Sequence, residues 1–387
     1  MNTFTQISQI DLAWTVRDIS RLQGIMSRTG SFPVLTATDL LRKHAPIGAL
    51  VCDPFCGKGT TLLAARTLRM NCLGLDVAPE AVICSRAKVA LVTRSNVLRY
   101  IDQLPTHSLT GISARPDVAS LLHPHNIKRL IPIRDYLLSD IAKERDPGCA
   151  SVVLAALLGI IHGHASFSLS IPSAHAFGMA PSYVRAYAKK NNLVRPIRDI
   201  AACLRKKVER CIPTEAGPQV VSSVVLGSAL DLCNHFRQQA GIVDVVLTSP
   251  PYFNAQTYFK DNWLRHWLLD AETSVKPSDY LQTSSVFRYS TSIAIILEQC
   301  STMLRPGGKL ICVAGDVKLS RTGPSSSGLV NTAAILKEVA ISIGFKISEE
   351  GVHTVPTTRR YLNSLRLSNG HNGNDRKERY FVAVKPI

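Results

Sequence analysis

Residues 48–77, GALVCDPFCGKGTTLLAARTLRMNCLGLDV, are typical of a strand, a glycine turn, a helix and a second strand. The apolar runs GALVCDPF and NCLGLDV have the length of a strand. The segment between them, TTLLAARTLRM, carries its apolar residues on one helical face. The alternation returns from about residue 216, and the chain ends in FKISEEGV and RYFVAVKPI, two candidate strands of an antiparallel ribbon. We therefore predict an α/β fold, a doubly wound, mostly parallel Rossmann-like sheet with an antiparallel C-terminal strand and a helical insertion.

A basic helical segment interrupts this alternation. Residues 85–215 hold 19 lysines and arginines against 9 aspartates and glutamates, a net charge of +10 out of +17 for the whole chain. The pattern predicts a first part of the core at 1–90, a basic helical insertion at 91–215 and a second part of the core at 216–387. Such an excess of positive charge favours nucleic acid as a partner, before an acidic membrane surface. A solvated helical insertion is the alternative.

Cysteine spacing and hydropathy narrow the class of protein further. The ten cysteines include no C-x-x-C pair, which argues against a zinc site. Several of them, such as Cys52, Cys72 and Cys312, lie in apolar strand-like runs as free thiols would, which suggests a reducing compartment. The first twenty residues lack the pattern of a signal peptide. Residues 150–165, ASVVLAALLGIIHGHA, are too short to span a bilayer and are predicted to form a buried helix. We expect a soluble, cytoplasmic protein without a bound metal, in which His162 and His164 are structural or contact nucleic acid.

The glycine turn DPFCGKGTT, residues 53–61, predicts a cofactor site. Gly57 and Gly59 let the backbone turn tightly and approach a ligand. The turn is neither a P-loop nor a dinucleotide motif, because Lys58 is followed by glycine and a third spaced glycine is missing. Asp76, at the end of the next strand, is suited to accept hydrogen bonds from both hydroxyls of a ribose. Together these features favour an adenosine-type cofactor such as S-adenosylmethionine; for the glycines alone, an ordinary strand-to-helix turn is the alternative.

The stretch TSPPYFN, residues 248–254, follows the apolar run IVDVVL. Neither proline has an N–H group, so the strand must end there. The turn then exposes Ser249 and Tyr252 at the carboxyl edge of the sheet, where ligands of open α/β sheets bind. A turn that merely ends a strand is the alternative.

The two motifs together resemble the paired signature of DNA amino-methyltransferases, which methylate N4 of cytosine or N6 of adenine. The family patterns are D-P-F-x-G-x-G-T and [DNS]-P-P-[YFW], and the resemblance covers about residues 30–90 and 216–387. It implies S-adenosylmethionine as cofactor, double-stranded DNA as partner, and a prokaryotic or phage-encoded enzyme with a cognate restriction endonuclease as a candidate partner. The insertion precedes the third strand, whereas the family usually places its target-recognition insertion later.

The resemblance also implies how the matched residues act. Ser249 Oγ and the Pro250 carbonyl would accept the hydrogens of the amino group, Pro251 would help to fix the turn, and Tyr252 would stack on a flipped-out base. Serine at the first motif position is more typical of N4-cytosine enzymes, with N6-adenine as the alternative. An RNA guanine-N2 methyltransferase and a non-catalytic DNA-binding protein are the remaining alternatives. Carbon-5 cytosine methylation is disfavoured because the chain has no Pro-Cys dipeptide.

Two groups of binding residues complete the prediction. Cofactor contacts are predicted in the glycine turn, at the strand ends and in the segment SFPVLTATDLL, at Asp53, Pro54, Phe55, Gly57, Gly59, Thr60, Thr61, Asp76, Ser228, Thr248 and Phe32. Nucleic-acid contacts are predicted at Lys189, Lys190, Arg359, Arg360 and Arg366. A core position is the alternative for Phe32, and a solvated hairpin loop is the alternative for the arginines.

Overall fold

The computed structural model describes residues 14–28, 31–112, 114–163, 165–172, 181–251, 258–272, 285–318, 329–355 and 376–387, with the single positions 276, 281 and 283. Within these residues eight strands form one sheet. They are β1 (Leu50–Asp53), β2 (Asn71–Asp76), β3 (Ser222–Leu226), β4 (Val243–Thr248), β5 (Leu304–Lys318), β6 (Leu329–Asn331), β7 (Lys346–Val355) and β8 (Arg376–Val384).

The sheet has the order β3-β2-β1-β4-β5-β8-β7, with the short β6 paired to β5. Strands β3, β2, β1, β4 and β5 run parallel. Strand β8 lies antiparallel between β5 and β7. The predicted fold class is thus confirmed: the sheet is mostly parallel, with helices on both faces and an antiparallel strand from the C-terminal ribbon. The carboxyl ends of β1, β2 and β4 meet at one edge.

Fifteen α-helices lie in the described part of the chain. They are α1 (Val16–Gln23), α2 (Val34–His44), α3 (Thr60–Thr67), α4 (Pro79–Val89), α5 (Arg94–Asp102), α6 (Pro116–Leu121), α7 (Pro124–Ala142), α8 (Pro147–Ile160), α9 (Pro181–Lys190), α10 (Ile200–Cys211), α11 (Leu232–His235), α12 (Tyr258–Asp261), α13 (Trp263–Leu268), α14 (Val286–Met303) and α15 (Thr332–Ser342).

Alternate residues of the central strands face two hydrophobic cores, as the period of a strand requires. Val245 and Leu247 of β4 belong to the core that includes α3, α4 and α8. Val246, between them, belongs to the core on the other face, with α14 and α15. Both faces of the sheet are therefore covered by helices, and its carboxyl edge is left for a ligand.

Helices α5 to α10 fall between α4 and β3, within the segment predicted as the insertion. Helix α8 is almost completely buried, as predicted from its apolar sequence, and packs against α4. The division of the chain into three parts remains a prediction. No helix in the described ranges is long and apolar enough to cross a membrane. The ten cysteines are free thiols, and all except Cys233 are buried.

Candidate active site

A cavity opens at the carboxyl edge of the sheet, beside the ends of β1, β2 and β4. Its empty volume, with open solvent at the mouth included, is about 790 Å³. A cleft at this edge of an open α/β sheet is the usual place for a small ligand. Ten of the residues predicted from sequence line it: Phe32, Asp53, Pro54, Phe55, Gly57, Thr60, Asp76, Ser228, Ser249 and Pro251. The structure thus brings both predicted motifs to a single cavity.

Other predicted residues lie behind the cavity wall. Thr248 Oγ1 donates a hydrogen bond to Asp53 Oδ1 at 2.7 Å, and Thr61 Oγ1 donates to the Leu247 carbonyl at 3.2 Å. Both threonines are buried, so they join β4 to the glycine turn and do not face a ligand. Gly59 is the N-cap residue immediately before helix α3, and Pro250 is buried without lining the cavity. Tyr252, Arg359, Arg360 and Arg366 lie outside the described residues.

The glycine turn is tied to the end of β2. Gly57 and Gly59 have φ values of +53° and +76°, in the left-handed region that favours glycine. The Gly57 N–H group donates to Asp76 Oδ2 at 2.8 Å, and Ser85 Oγ of α4 donates to the Gly57 carbonyl at 3.0 Å. The turn is therefore held open in a fixed shape, with Asp76 as its anchor.

Asp53 is a buried carboxylate at the end of β1. Its Oδ1 atom accepts hydrogen bonds from the Phe55 N–H group at 3.1 Å and from Thr248. Burial raises the pKa of Asp53 to about 6, although the hydrogen bonds act in the opposite direction. A cationic ligand in the cavity would favour the ionised form of this group.

Asp76 retains acceptor capacity toward the cavity. Besides the bond from Gly57, its Oδ1 atom accepts the Ala78 N–H group at 2.9 Å. A carboxylate offers about four acceptor positions, so two ribose hydroxyls fit beside these two backbone donors. Burial raises the pKa of Asp76, and the nearby Arg28 guanidinium counteracts the shift.

A buried cluster of charged and polar side chains extends from Asp76, and the sequence did not predict it. Arg28 lies 3.8 Å from Asp76 Oδ2 and 3.7 Å from Glu80 Oε1. Glu80 Oε2 lies 3.2 Å from His266 Nε2, and the Arg28 guanidinium stands over the Tyr258 ring, 5.5 Å from its centroid. Burial opposes ionisation of Glu80, but Arg28 and His266 outweigh it, so the pKa of Glu80 is lowered. This cluster connects the carboxyl edge of the sheet to α12 and α13. These two helices follow the turn formed by Ser249, Pro250 and Pro251, here called the S-P-P turn.

A second buried cation supports the cavity from behind. Gln23 Nε2 donates to Thr60 Oγ1 at 2.9 Å, and the Lys88 ammonium donates to Gln23 Oε1 at 2.5 Å. Lys88 is fully buried, and this burial lowers its pKa to about 7. A lysine within an apolar helical pattern gives no sequence signal of such a role.

The S-P-P turn presents a hydroxyl group to the cavity. Ser249 Oγ is buried and has no hydrogen-bond partner among the described residues. The Pro251 carbonyl accepts a hydrogen bond from Tyr289 Oη at 2.8 Å. A buried polar atom without a partner is costly unless a ligand or water meets it. The turn is thus arranged to receive a polar group of a ligand.

Helix α9 carries the predicted Lys189 and Lys190, both exposed, and lies outside the cavity lining. Residues 147–198 contain five lysines and arginines and no acidic residue. The rings of Tyr183 and Tyr187 on α9 are stacked, with centroids 6.2 Å apart. The surface is therefore basic and partly aromatic. His162 Nδ1 lies 2.7 Å from Ser170 Oγ in a buried structural contact, and no cluster of three metal-ligating side chains occurs in the described ranges.

Comparisons with known proteins point to methyltransferases. A family model described as DNA methylase, for N6 and N4 enzymes, matches residues 5–85. The Type II methyltransferase M.MjaII of Methanocaldococcus jannaschii is 29% identical over 68 residues, which are 18% of this chain and 13% of that protein. The chain therefore matches only about an eighth of the length of this curated relative. These matches confirm the predicted resemblance to DNA amino-methyltransferases.

Two solved structures show a distant similarity to this chain. The rRNA methyltransferase aviRa from Streptomyces viridochromogenes is 13% identical, with 96% of this chain and 95% of that chain covered and a TM-score of 0.37. The protein TTHA0409 from Thermus thermophilus, solved in complex with S-adenosyl-L-methionine, is 18% identical, with 42% and 52% covered and a TM-score of 0.27.

Proposed function

We propose that this chain is a DNA methyltransferase that transfers a methyl group from S-adenosylmethionine to N4 of a flipped-out cytosine. The observation that carries the proposal is one cavity, at the carboxyl edge of a doubly wound sheet, that holds both Asp76 and the Ser249 hydroxyl, which has no partner in the described part of the chain. The sequence match of residues 5–85 to the DNA methylase model supports the same reaction class.

The residues present fit S-adenosylmethionine. Asp76 has acceptors for the ribose hydroxyls, and Gly57 lets the backbone come close to the ligand. Asp53 would favour the cationic groups of the cofactor, and Phe32 would line the site of its methionine end. When bound, the cofactor supplies a methyl group on a positively charged sulfur.

The chain's own groups would position the nucleophile. An exocyclic amino nitrogen is a poor nucleophile because its lone pair is delocalised into the ring. Ser249 Oγ and the Pro250 carbonyl would accept its two hydrogens and favour a tetrahedral nitrogen whose lone pair faces the methyl group. The bound cofactor would supply the methyl group to this nitrogen, which would then release one proton to solvent. Tyr252 would stack on the base and replace its lost neighbours.

The choice of base rests on the serine of the S-P-P-Y motif, which is more typical of N4-cytosine enzymes in the family. N6-adenine is the alternative, since both bases present the same amino geometry. We propose the basic helical insertion as the surface that binds double-stranded DNA, with Lys189 and Lys190 on phosphates. The family resemblance favours a cytoplasmic enzyme that is encoded by a prokaryote or a phage. It also favours a cognate restriction endonuclease as a partner.

Mass spectrometry of nucleosides tests the proposal. DNA from cells that express the parent chain should contain N4-methylcytosine, and DNA from cells that express Ser249→Ala should not. In vitro, Ser249→Ala should lower methyl transfer on the order of 100-fold or more. Its affinity for the cofactor, measured by calorimetry, should match that of the parent.

The exposed Ser342, whose Oγ donates to the Val339 carbonyl, provides the matched control Ser342→Ala, which should retain full activity. N6-methyladenine instead of N4-methylcytosine would keep the mechanism and correct the base. If the DNA were unmodified and the RNA methylated, the substrate would be RNA and not DNA. A parent chain that binds no S-adenosylmethionine would contradict the proposed function.

A further inference from the structure

The S-P-P turn has a buried hydrogen-bond donor behind it. Tyr289, on α14, is 1% exposed and packs in the core formed with α15. Its hydroxyl donates to the Pro251 carbonyl at 2.8 Å. Tyr289 does not line the cavity, whereas Pro251 and Ser249 do. The tyrosine therefore contacts the turn without lining the cavity.

Two consecutive prolines explain why the turn needs a donor from elsewhere. Neither Pro250 nor Pro251 has an N–H group, so these two residues cannot be fixed by donating to a neighbouring strand. The proline rings restrict φ of both residues, and Pro251 also restricts ψ of Pro250, whereas the ψ angle of Pro251 is not restricted in this way. A hydrogen bond to the Pro251 carbonyl fixes the peptide plane between residues 251 and 252. That plane sets the direction in which the chain leaves the turn.

We propose that Tyr289 is a positioning residue, which holds the S-P-P turn in the orientation that methyl transfer requires. The inference rests on the proposed function, because it assigns Tyr289 to the same catalytic turn. Tyr289 touches neither the cofactor nor the target base in this proposal and acts through Pro251. Loss of its hydroxyl frees the Pro251 peptide group to rotate, which changes the orientation of the S-P-P turn against the amino group. Misplacement in an active site lowers the rate of the chemical step more than it lowers binding.

The variant Tyr289→Phe removes only the hydroxyl. We expect the single-turnover rate of methyl transfer to fall about tenfold, with the dissociation constant for S-adenosylmethionine within twofold of the parent. A matched control is Tyr380→Phe on β8, because the Tyr380 hydroxyl donates to Glu349 Oε1 at 2.8 Å and this hydrogen bond, like that of Tyr289, is partly buried. Each variant loses the hydrogen bond that its tyrosine hydroxyl donates, and only Tyr289→Phe should lose rate. Circular dichroism at the assay temperature verifies that both are folded.

A second measurement tests whether the Tyr289 hydroxyl is the group that matters. 3-Fluorotyrosine at position 289 retains the donor hydroxyl and should restore the parent's rate. A Tyr289→Phe rate within twofold of the parent would overturn the inference, as would an equal loss of rate in Tyr380→Phe. A parent chain that methylates no nucleic acid would contradict the proposed function, whereas an active parent with an equally active Tyr289→Phe would contradict only the role of Tyr289.

Discussion

At the scale of single residues, the buried cluster of Asp76, Arg28, Glu80 and His266 is the most costly feature of the site. Glu80 is completely buried, and Arg28 lies close to both carboxylates. A buried charge is tolerated only when it is paired, so removal of one partner leaves an uncompensated charge in a poorly solvated place. Arg28 is the residue whose loss would affect two carboxylates together.

We predict that Arg28→Gln lowers the free energy of unfolding by about 3–5 kcal/mol at pH 8. In the parent, Arg28 and His266 lower the pKa of Glu80, so this carboxylate contributes stability at high pH and loses it on acidification. In the variant, burial raises the pKa of both carboxylates. The folded state then keeps protons that the unfolded state releases. The loss of unfolding free energy relative to the parent should therefore be larger at pH 8 than at pH 5. Urea denaturation of both proteins at the two pH values measures this loss.

The double variant Arg28→Gln, Glu80→Gln removes both charges of one pair and serves as the control. It should be more stable than Arg28→Gln alone, because no unpaired carboxylate remains at position 80. Equal losses of unfolding free energy at pH 5 and pH 8 in Arg28→Gln would contradict the pairing of Arg28 with these carboxylates. The pairing would also be contradicted if the double variant lost as much as the two single variants lose together.

At the scale of elements, the two glycines of the glycine turn have different roles, one in helix packing and the other beside the ligand. A Cβ atom on Gly59 would lie 3.0 Å from the Ser85 Cα atom of α4, whereas a Cβ atom on Gly57 would meet only the Phe55 carbonyl oxygen at 3.8 Å. Gly59 therefore allows α3 and α4 to pack closely. Gly57, which lines the cavity, leaves room for the ligand.

We predict that Gly59→Ala costs about 1–3 kcal/mol more stability than Gly57→Ala. Both substitutions place a Cβ atom on left-handed backbone, which costs roughly 1–2 kcal/mol, and only Gly59→Ala adds a clash with another helix. The affinity for S-adenosylmethionine should show the reverse order, with the larger loss in Gly57→Ala. Thermal unfolding and calorimetric titration of the two variants measure these effects. Equal loss of stability in both would contradict the packing role of Gly59.

At the scale of the whole molecule, the positive charge is distributed unevenly. The net charge is +17, and more than half of it lies between residues 85 and 215. Helix α9 exposes Lys189 and Lys190 in a stretch without acidic residues. Lysines that contact phosphates release counterions, so their number sets how steeply binding weakens with salt.

We predict that the double variant Lys189→Gln, Lys190→Gln reduces the slope of log affinity for DNA against log salt concentration by about 2. The loss should be similar for different DNA sequences, because phosphate contacts carry no base information. Fluorescence anisotropy at several salt concentrations measures the slope. Lys43→Gln, Lys346→Gln removes two other exposed lysines, on α2 and β7, and should leave the slope unchanged. An unchanged slope in the α9 variant would place the DNA elsewhere.

Much of the whole fold could be predicted, since strands that are buried on both faces are continuous apolar runs joined by turn residues. The glycine turn and the S-P-P turn were predictable because prolines and glycines restrict the backbone locally. The sequence could not reveal Arg28, Glu80 or Tyr289, whose partners lie far along the chain. Glu80 resembles an ordinary acidic residue in the first turn of a helix, and Tyr289 resembles an ordinary core aromatic. Long-range pairing of this kind depends on the tertiary structure alone.

The central place of β1 in the sheet has a consequence for synthesis on the ribosome. One edge of β1 is paired early, through Leu50 with Asn71, but its other edge awaits the pairing of Val51 with Val245. At typical translation rates, the roughly 190 intervening residues take on the order of 10 seconds or more to appear. During that interval the nascent chain carries an open strand edge, which is a template for pairing with another chain. The yield of folded protein is therefore decided in part by what shields that edge during translation.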